Sequence, residues 1–282
     1  MTTAQKIIKY LATALAIFLI IGIISAILNC GYAILKATGL INKEKNNYNG
    51  ETIIISGETT DISRLKIELE TASLEIKEGE NFKVETDNPK IEYKEDNGII
   101  EIKEQHQSWK NNNKNNSLVV YIPGSMKEIT NTKIETGAGN VTINKLNTQE
   151  LNLKLGAGEV IIENTKVTQN LEIDGGVGKN TIRSSEINNL IADLGVGEFN
   201  FYGKLTGKSD INSGVGAVNL GITGTKEDYT FEFNKGVGNI YIDGEKISQE
   251  GKYGSGNNYL SIDGGIGEIK INFDKEKVSI NF

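Results

Sequence analysis

The sequence predicts an all-β fold, a parallel β-solenoid or β-helix with turns of about 20 residues, preceded by one N-terminal transmembrane helix. Two observations carry this reading. Gly-x-Gly triplets recur at near-constant spacing through the C-terminal half, and residues 10–35 form one uncharged apolar run.

The triplets are Gly137-Ala138-Gly139, Gly156-Ala157-Gly158, Gly176-Val177-Gly178, Gly195-Val196-Gly197, Gly214-Val215-Gly216, Gly236-Val237-Gly238 and Gly265-Ile266-Gly267. Successive triplets lie 19, 20, 19, 19, 22 and 29 residues apart. Self-similarity of this period marks a repeat architecture. Take the middle residue of each triplet as position zero. Position −4 carries Ile134, Leu153, Ile173, Ala192, Ile211, Phe233 and Ile262. Position +3 carries Val141, Val160, Asn180, Phe199, Val218, Ile240 and Ile269, and position +5 is Ile, Phe or Leu throughout. Only Asn180 breaks the apolar rule. Positions −4 and 0 share one parity, and +3 and +5 share the other. Strand residues on one face are two apart, so the alternation slips by one residue. The reading places that slip at the second Gly, with position zero facing inward. Glycine suits a corner or bulge because it carries no Cβ. Each repeat is then two short strands joined at a Gly corner and closed by a return segment of about ten residues, with successive turns stacked about 4.8 Å apart.

The pattern continues upstream in degenerate form. Ile67, Leu69, Thr71, Leu74 and Ile76 keep the spacing, with Glu70 and Ala72 replacing the glycines. Ile100 and Ile102, then Val119 and Tyr121, are further strand candidates. Lys103–Ser117 lacks periodicity and reads as an exposed loop, and Asp243–Asn258 reads as an insertion. Val278, Ile280 and Phe282 read as a last strand capping the open end.

The apolar run extends from Tyr10 to Leu35, 26 residues without a charge. As a helix it spans roughly 39 Å, enough for a hydrocarbon core of about 30 Å. A cleaved signal peptide has a shorter apolar region and a small-x-small site, and Asn29 before Cys30 fits a lipoprotein anchor poorly. The expected organisation is a basic tail (1–9), a transmembrane helix (10–35), a polar linker (36–50) and a solenoid (51–282). The solenoid has degenerate turns over 51–130 and Gly-x-Gly turns over 131–282. A short basic N-terminus before a single helix is the usual signal-anchor arrangement, which puts the body outside the cell.

Composition narrows the chemistry. Thirty basic against 37 acidic residues give a net charge of −7. The first fifty residues carry +4 and the remainder −11, which argues against nucleic-acid partners. One cysteine, Cys30, and one histidine, His106, argue against disulfides, Cys- or His-ligated metals and Ser–His hydrolysis. Phosphate-binding Gly loops open a helix, whereas a strand pattern follows each triplet here. Position −3 forms an outward row of Glu135, Lys154, Asp174, Asp193, Asn212, Asn234 and Asp263. Stacked Asp174 and Asp193 are the one metal candidate, through Ca²⁺; a solvated row is the plainer reading. His106 and Trp109 read as an exposed pair. No cofactor is expected, and the chain reads as non-catalytic.

Leu118-Val-Val-Tyr-Ile-Pro123, Ile134-Glu-Thr-Gly-Ala-Gly-Asn-Val-Thr-Ile143 and the later Gly-x-Gly turns resemble a bacterial family of unknown function whose members are called putative adhesins. The resemblance covers roughly residues 50–282. It implies a β-solenoid, often membrane-anchored in the envelope and in some cases linked to envelope-stress regulators, with no established catalytic residues. The expected partners are the membrane, through the single-pass helix, and an envelope protein or glycan. The alternatives are a degenerate carbohydrate-active β-helix and a cytoplasm-facing regulator on the same anchor.

Overall fold

Alternating apolar strands interrupted by glycine pairs must turn every few residues to keep one face dry, and stacking such turns pairs each backbone with the next. The computed structural model realises this as one long, largely parallel sheet, the arrangement of a β-solenoid. It describes residues 52–56, 61–105, 116–234, 236–248 and 250–274. The chain divides into two units. The first, Met1–Asn49 with Ser108–Asn112, falls outside the described residues, as do the 10–35 run and the Val278–Phe282 segment. The second, Gly50–Gln107 with Asn113–Phe282, holds the sheet. Among the described residues no helix is long and apolar enough to cross a membrane.

Among the described residues, nine coils stack in register. In spatial order they are Ile99–Glu104 with Ser117–Pro123, Arg64–Leu69 with Ser73–Gly79, Ile129–Ala138 with Val141–Asn144, Asn147–Glu163, Lys166–Asn188, Leu190–Thr206, Lys208–Thr223, Asn258–Asp263 with Ile269–Asp274, and Tyr229–Asn234 with Ile240–Ile242. Stacking in chain order, as expected from the repeat, holds only in the middle. At each end the chain passes over one coil position. This explains the spacings of 22 and 29. Coils that follow each other directly need 19 or 20 residues; after Gly214 the chain must climb two steps of about 4.8 Å and then return.

Both ends are closed by antiparallel strands. Ile91–Asp96 pairs with Ile99–Glu104, and Lys83–Thr86 pairs with Ser117–Pro123 and carries Ile53–Ser56 on its far side. At the other end Gly251–Gly254 pairs with Tyr229–Asn234 and Glu245–Ile247 with Ile240–Ile242. The Asp243–Asn258 insertion is therefore the end cap. Reversing direction blunts a parallel edge that would otherwise template further pairing.

The middle coils have three sides rather than two strands and a return segment. The third side is strand as well: Ser185–Asn188 pairs with Gly203–Thr206. The second corner is taken with left-handed backbone at Lys145, Asn164 and Ser184 (φ 67, 48 and 49°). Inside, rows of one side chain per coil run along the stack, such as Ile67, Ile134, Leu153, Ile173, Ala192 and Ile211, all buried. Small and large residues compensate within a coil, as close packing requires: Ala192 shares its coil with Phe199 and Phe201. Asn180 is tolerated because Gly175 leaves space; a Cβ built there would lie 3.5 Å from its Nδ2. Tyr229, Phe231, Phe233 and Phe273 close the C-terminal end of the core with rings 5.2–6.0 Å apart.

Val119 and Tyr121 lie on the strand Ser117–Pro123, as expected, with Leu118, Val120 and Ile122 as its buried residues. One reading of the strands is corrected. The Lys103–Ser117 run is not all loop: Lys103 and Glu104 end one strand and Ser117 begins another.

Candidate functional site

The corners hold the largest departure from expectation. Position zero faces outward. Val177 is 53% and Val196 38% exposed, Ala138 and Ala157 are exposed, and Val215, Val237 and Ile266 are half-buried. The reversal is complete before position zero, because Leu155 and Leu194 at position −2 still pack against the core. The seven residues align across neighbouring coils in the order Ala138, Ala157, Val177, Val196, Val215, Ile266, Val237. They form an apolar ridge roughly 29 Å long, at about 4.8 Å per coil. The paired glycines on either side leave it standing alone. They are there because the coils approach closely: a Cβ on Gly137 would lie 2.6 Å from the carbonyl oxygen of Glu70.

The position −3 row runs alongside, facing outward as expected. Asp174 and Asp193 are register neighbours, and the Asn212 amide donates to Asp193 Oδ1 at 2.7 Å. That bond already relieves part of the like-charge contact. Among the described residues no three His, Cys, Asp or Glu side chains come together as a metal set. His106 and Trp109 lie outside the described residues.

At the N-terminal end of the corner row, an open groove of about 520 Å³ is lined by Glu68, Glu104, Glu135, Lys154 and Asp174 among others. Glu104 is buried at its base. In the inner coils the position-zero N–H donates to a carbonyl of the coil above, as Ala138 does to Glu70 O at 2.7 Å. Above Thr71 the chain leaves the sheet after Glu104, and the carboxylate takes the place of the missing carbonyl. Its Oε2 accepts from the backbone N–H groups of Glu70 (2.7 Å), Thr71 (2.9 Å) and Ala72 (3.1 Å). Its Oε1 accepts from the amides of Asn88 (3.0 Å) and Asn116 (3.1 Å). Burial works to raise this carboxyl, but the donated hydrogen bonds outweigh it and hold it below its ordinary value. Lys66, with Lys103 behind it, holds Glu68 below its ordinary value too.

A family profile described as Toastrack DUF4097 matches residues 62–272. The chain belongs to this family. The toastrack chain is also similar to two solved structures. One, from Clostridium sporogenes ATCC 15579, is called a "putative cell adhesion protein"; it is 18% identical with a TM-score of 0.36, over 79% of this chain and 99% of that one. The other, a "putative adhesin" from Bacteroides fragilis NCTC 9343, is 17% identical with a TM-score of 0.43, over 79% and 97%. No curated protein matches the chain.

On the toastrack corners the geometry decides how the Asp row should behave. Asp174→Asn with Asp193→Asn should leave the melting temperature within about 1 °C, since one exposed like-charge contact is worth a few tenths of a kcal/mol. Millimolar Ca²⁺ at constant ionic strength should move wild type and double mutant equally. A calcium-dependent rise in the wild type alone would establish a metal site.

Proposed function

We propose that this toastrack chain is a non-catalytic interaction module, held on the membrane by its 10–35 segment as a single-pass helix and displayed outside the cell. The observation that supports it is the outward ridge. Nothing in core packing calls for Val, Ile or Ala at position zero, yet every triplet has one, on an acidic body whose other outward rows are mostly polar and carry large exposed apolar side chains only singly, as at Ile191 and Tyr202. An apolar row locked between glycines is an association surface. Its partner is an envelope protein or a glycan, and no cofactor is involved.

A specific observation also bears on the carbohydrate-active reading: the groove beside Glu104 gathers acids and lysines. A glycosidase needs a carboxyl that stays protonated to act as acid. Glu68 and Glu104 are both pushed the other way, so neither suits that role.

The test uses intact cells making the full chain and a membrane-impermeant cross-linker. Wild type should give cross-linked species, and Val177→Gln with Val196→Gln should lose most of them while keeping its fold. A chain that the reagent reaches only after lysis would overturn the outward orientation. Cross-links unchanged in the double variant would overturn the ridge.

A further inference from the structure

We infer that the second side of the middle coils carries a saccharide-binding platform centred on Tyr202. The inference deepens the interaction reading and rests on it, but it uses a different surface from the ridge.

Tyr202 lies on the strand Leu190–Thr206 and is 47% exposed. Its row across the coils reads Asn144, Glu163, Arg183, Tyr202, Gly221, Asn272. All the others are polar except Gly221. That glycine is where the ring lies: a Cβ on Gly221 would come 2.7 Å from Tyr202 Cδ1 and 3.3 Å from Cε1. The ring therefore rests along the sheet, over the neighbouring coil, instead of standing off it. Among the described residues no group hydrogen-bonds its hydroxyl.

The polar groups around the ring are fixed. In the adjoining row the Asn219 amide donates to Asn200 Oδ1 at 2.8 Å and to Glu198 Oε1 at 3.2 Å. Lys179 lies 3.5 Å from the same Glu198. On the other flank Arg183 is ion-paired with Glu163. Asn200 is itself buried and Glu198 stands four residues along the strand, so the accessible polar groups beside the ring are Asn219, one coil on, and the Arg183–Glu163 pair, on a backbone held by coils above and below.

That combination selects a ligand chemistry. An apolar peptide or a lipid would need apolar neighbours beside the ring, and these are charged or amide. A pyranose with equatorial hydroxyls has a flat C–H face for the ring and a hydroxyl rim for the Asn219 amide and the Arg183–Glu163 pair. Pockets for small ligands pair an apolar contact with a few placed polar groups in this way. The acidity of residues 51–282 disfavours polyanionic chains. The ligand class is a neutral β-linked oligosaccharide of glucose or N-acetylglucosamine type.

The competing role is structural, since an aromatic ring beside a glycine shields the sheet backbone. Saturation-transfer NMR on the full chain in lipid nanodiscs separates the two, with cellotetraose and chitotetraose as probes. Wild type and Tyr202→Phe should transfer saturation to the sugar C–H protons of at least one probe. Tyr202→Leu, which keeps Gly221 covered, should bind about tenfold more weakly, the loss expected for one stacking contact. Asn219→Ala should weaken binding as well. No transfer in the wild type, or equal binding by Tyr202→Leu, would overturn the platform. If that occurs while ridge-dependent cross-links persist, the interaction reading stands without a glycan at this site; loss of both removes the two together.

Discussion

Glu104→Gln should destabilise the N-terminal coils by about 3–5 kcal/mol, the range for breaking a buried charged hydrogen-bond set. The carboxylate accepts three backbone N–H groups on one oxygen and two side-chain amides on the other. A glutamine keeps one acceptor and turns an NH₂ towards donors, so at least one converging set loses its partner and meets a like group. Because coils contact only their neighbours, the effect should be local. Hydrogen exchange should accelerate at Ile67, Leu74 and Ile76, while Ile211 and Leu220 stay protected. Glu78→Gln is the control. Its 2.7 Å pair with Lys145 is partly exposed, and such pairs contribute about 1 kcal/mol or less. Equal protection in the two variants would refute the role given to Glu104.

The same carboxylate sets a pH dependence. Its folded value lies below the ordinary 4.5. The stability it contributes is therefore complete above the unfolded value and is lost as pH falls through the folded one. Acidification should open the Arg64–Gly79 coil before the middle coils in the wild type, and this pH-linked step should be smaller in Glu104→Gln, where Glu68 on the same coil, also held below its ordinary value, still titrates.

Glu104 also shows what a sequence can and cannot disclose here. The middle coils were legible because one constraint, the clash of any Cβ with the carbonyl above, repeats with the period of the stack and leaves glycine pairs behind. At the first coil the carbonyl above Thr71 is gone, so the constraint lapses and Glu70 and Ala72 take the glycine positions. The replacement, Glu104, lies 33 residues further on in a stretch without periodicity. A lone buried acid ending the Ile100–Ile102 alternation was the only local sign of it. The outward turn of Val177 and its equivalents was hidden for another reason. Parity allots position zero to the same face as −4, and only the backbone path shows that the corner reverses before it. The order of the end coils was concealed likewise, since Phe233 and Ile262 satisfy the same apolar rule whichever coil lies outermost. The Tyr202 platform had no sequence signature, because a tyrosine and a glycine 19 residues apart become neighbours only once the coils are in register.

The second large effect is expected at the centre of the stack. Gly178→Val should cost about 3–5 kcal/mol, combining backbone strain with overpacking. Two independent facts oppose a side chain there. Gly178 has φ 154°, which β-branched residues avoid. A Cβ would also fall inside the contact radius of the Gly158 carbonyl oxygen, which is backbone and cannot swing away. Relief requires the coils Asn147–Glu163 and Lys166–Asn188 to part at the corner, and their separation uncovers Val160 and Ile162. Lys179→Ala, one residue on, removes only an exposed 3.5 Å pair with Glu198 and should change stability by about 1 kcal/mol or less. Gly178→Ala should fall between them but nearer to Val, because the first carbon already makes the clash. A thermal melt of the three variants tests this order. Were Gly178→Val to melt with Lys179→Ala, the glycine pairs would not be what lets the coils approach, and the isolation of the outward ridge between them would need another cause.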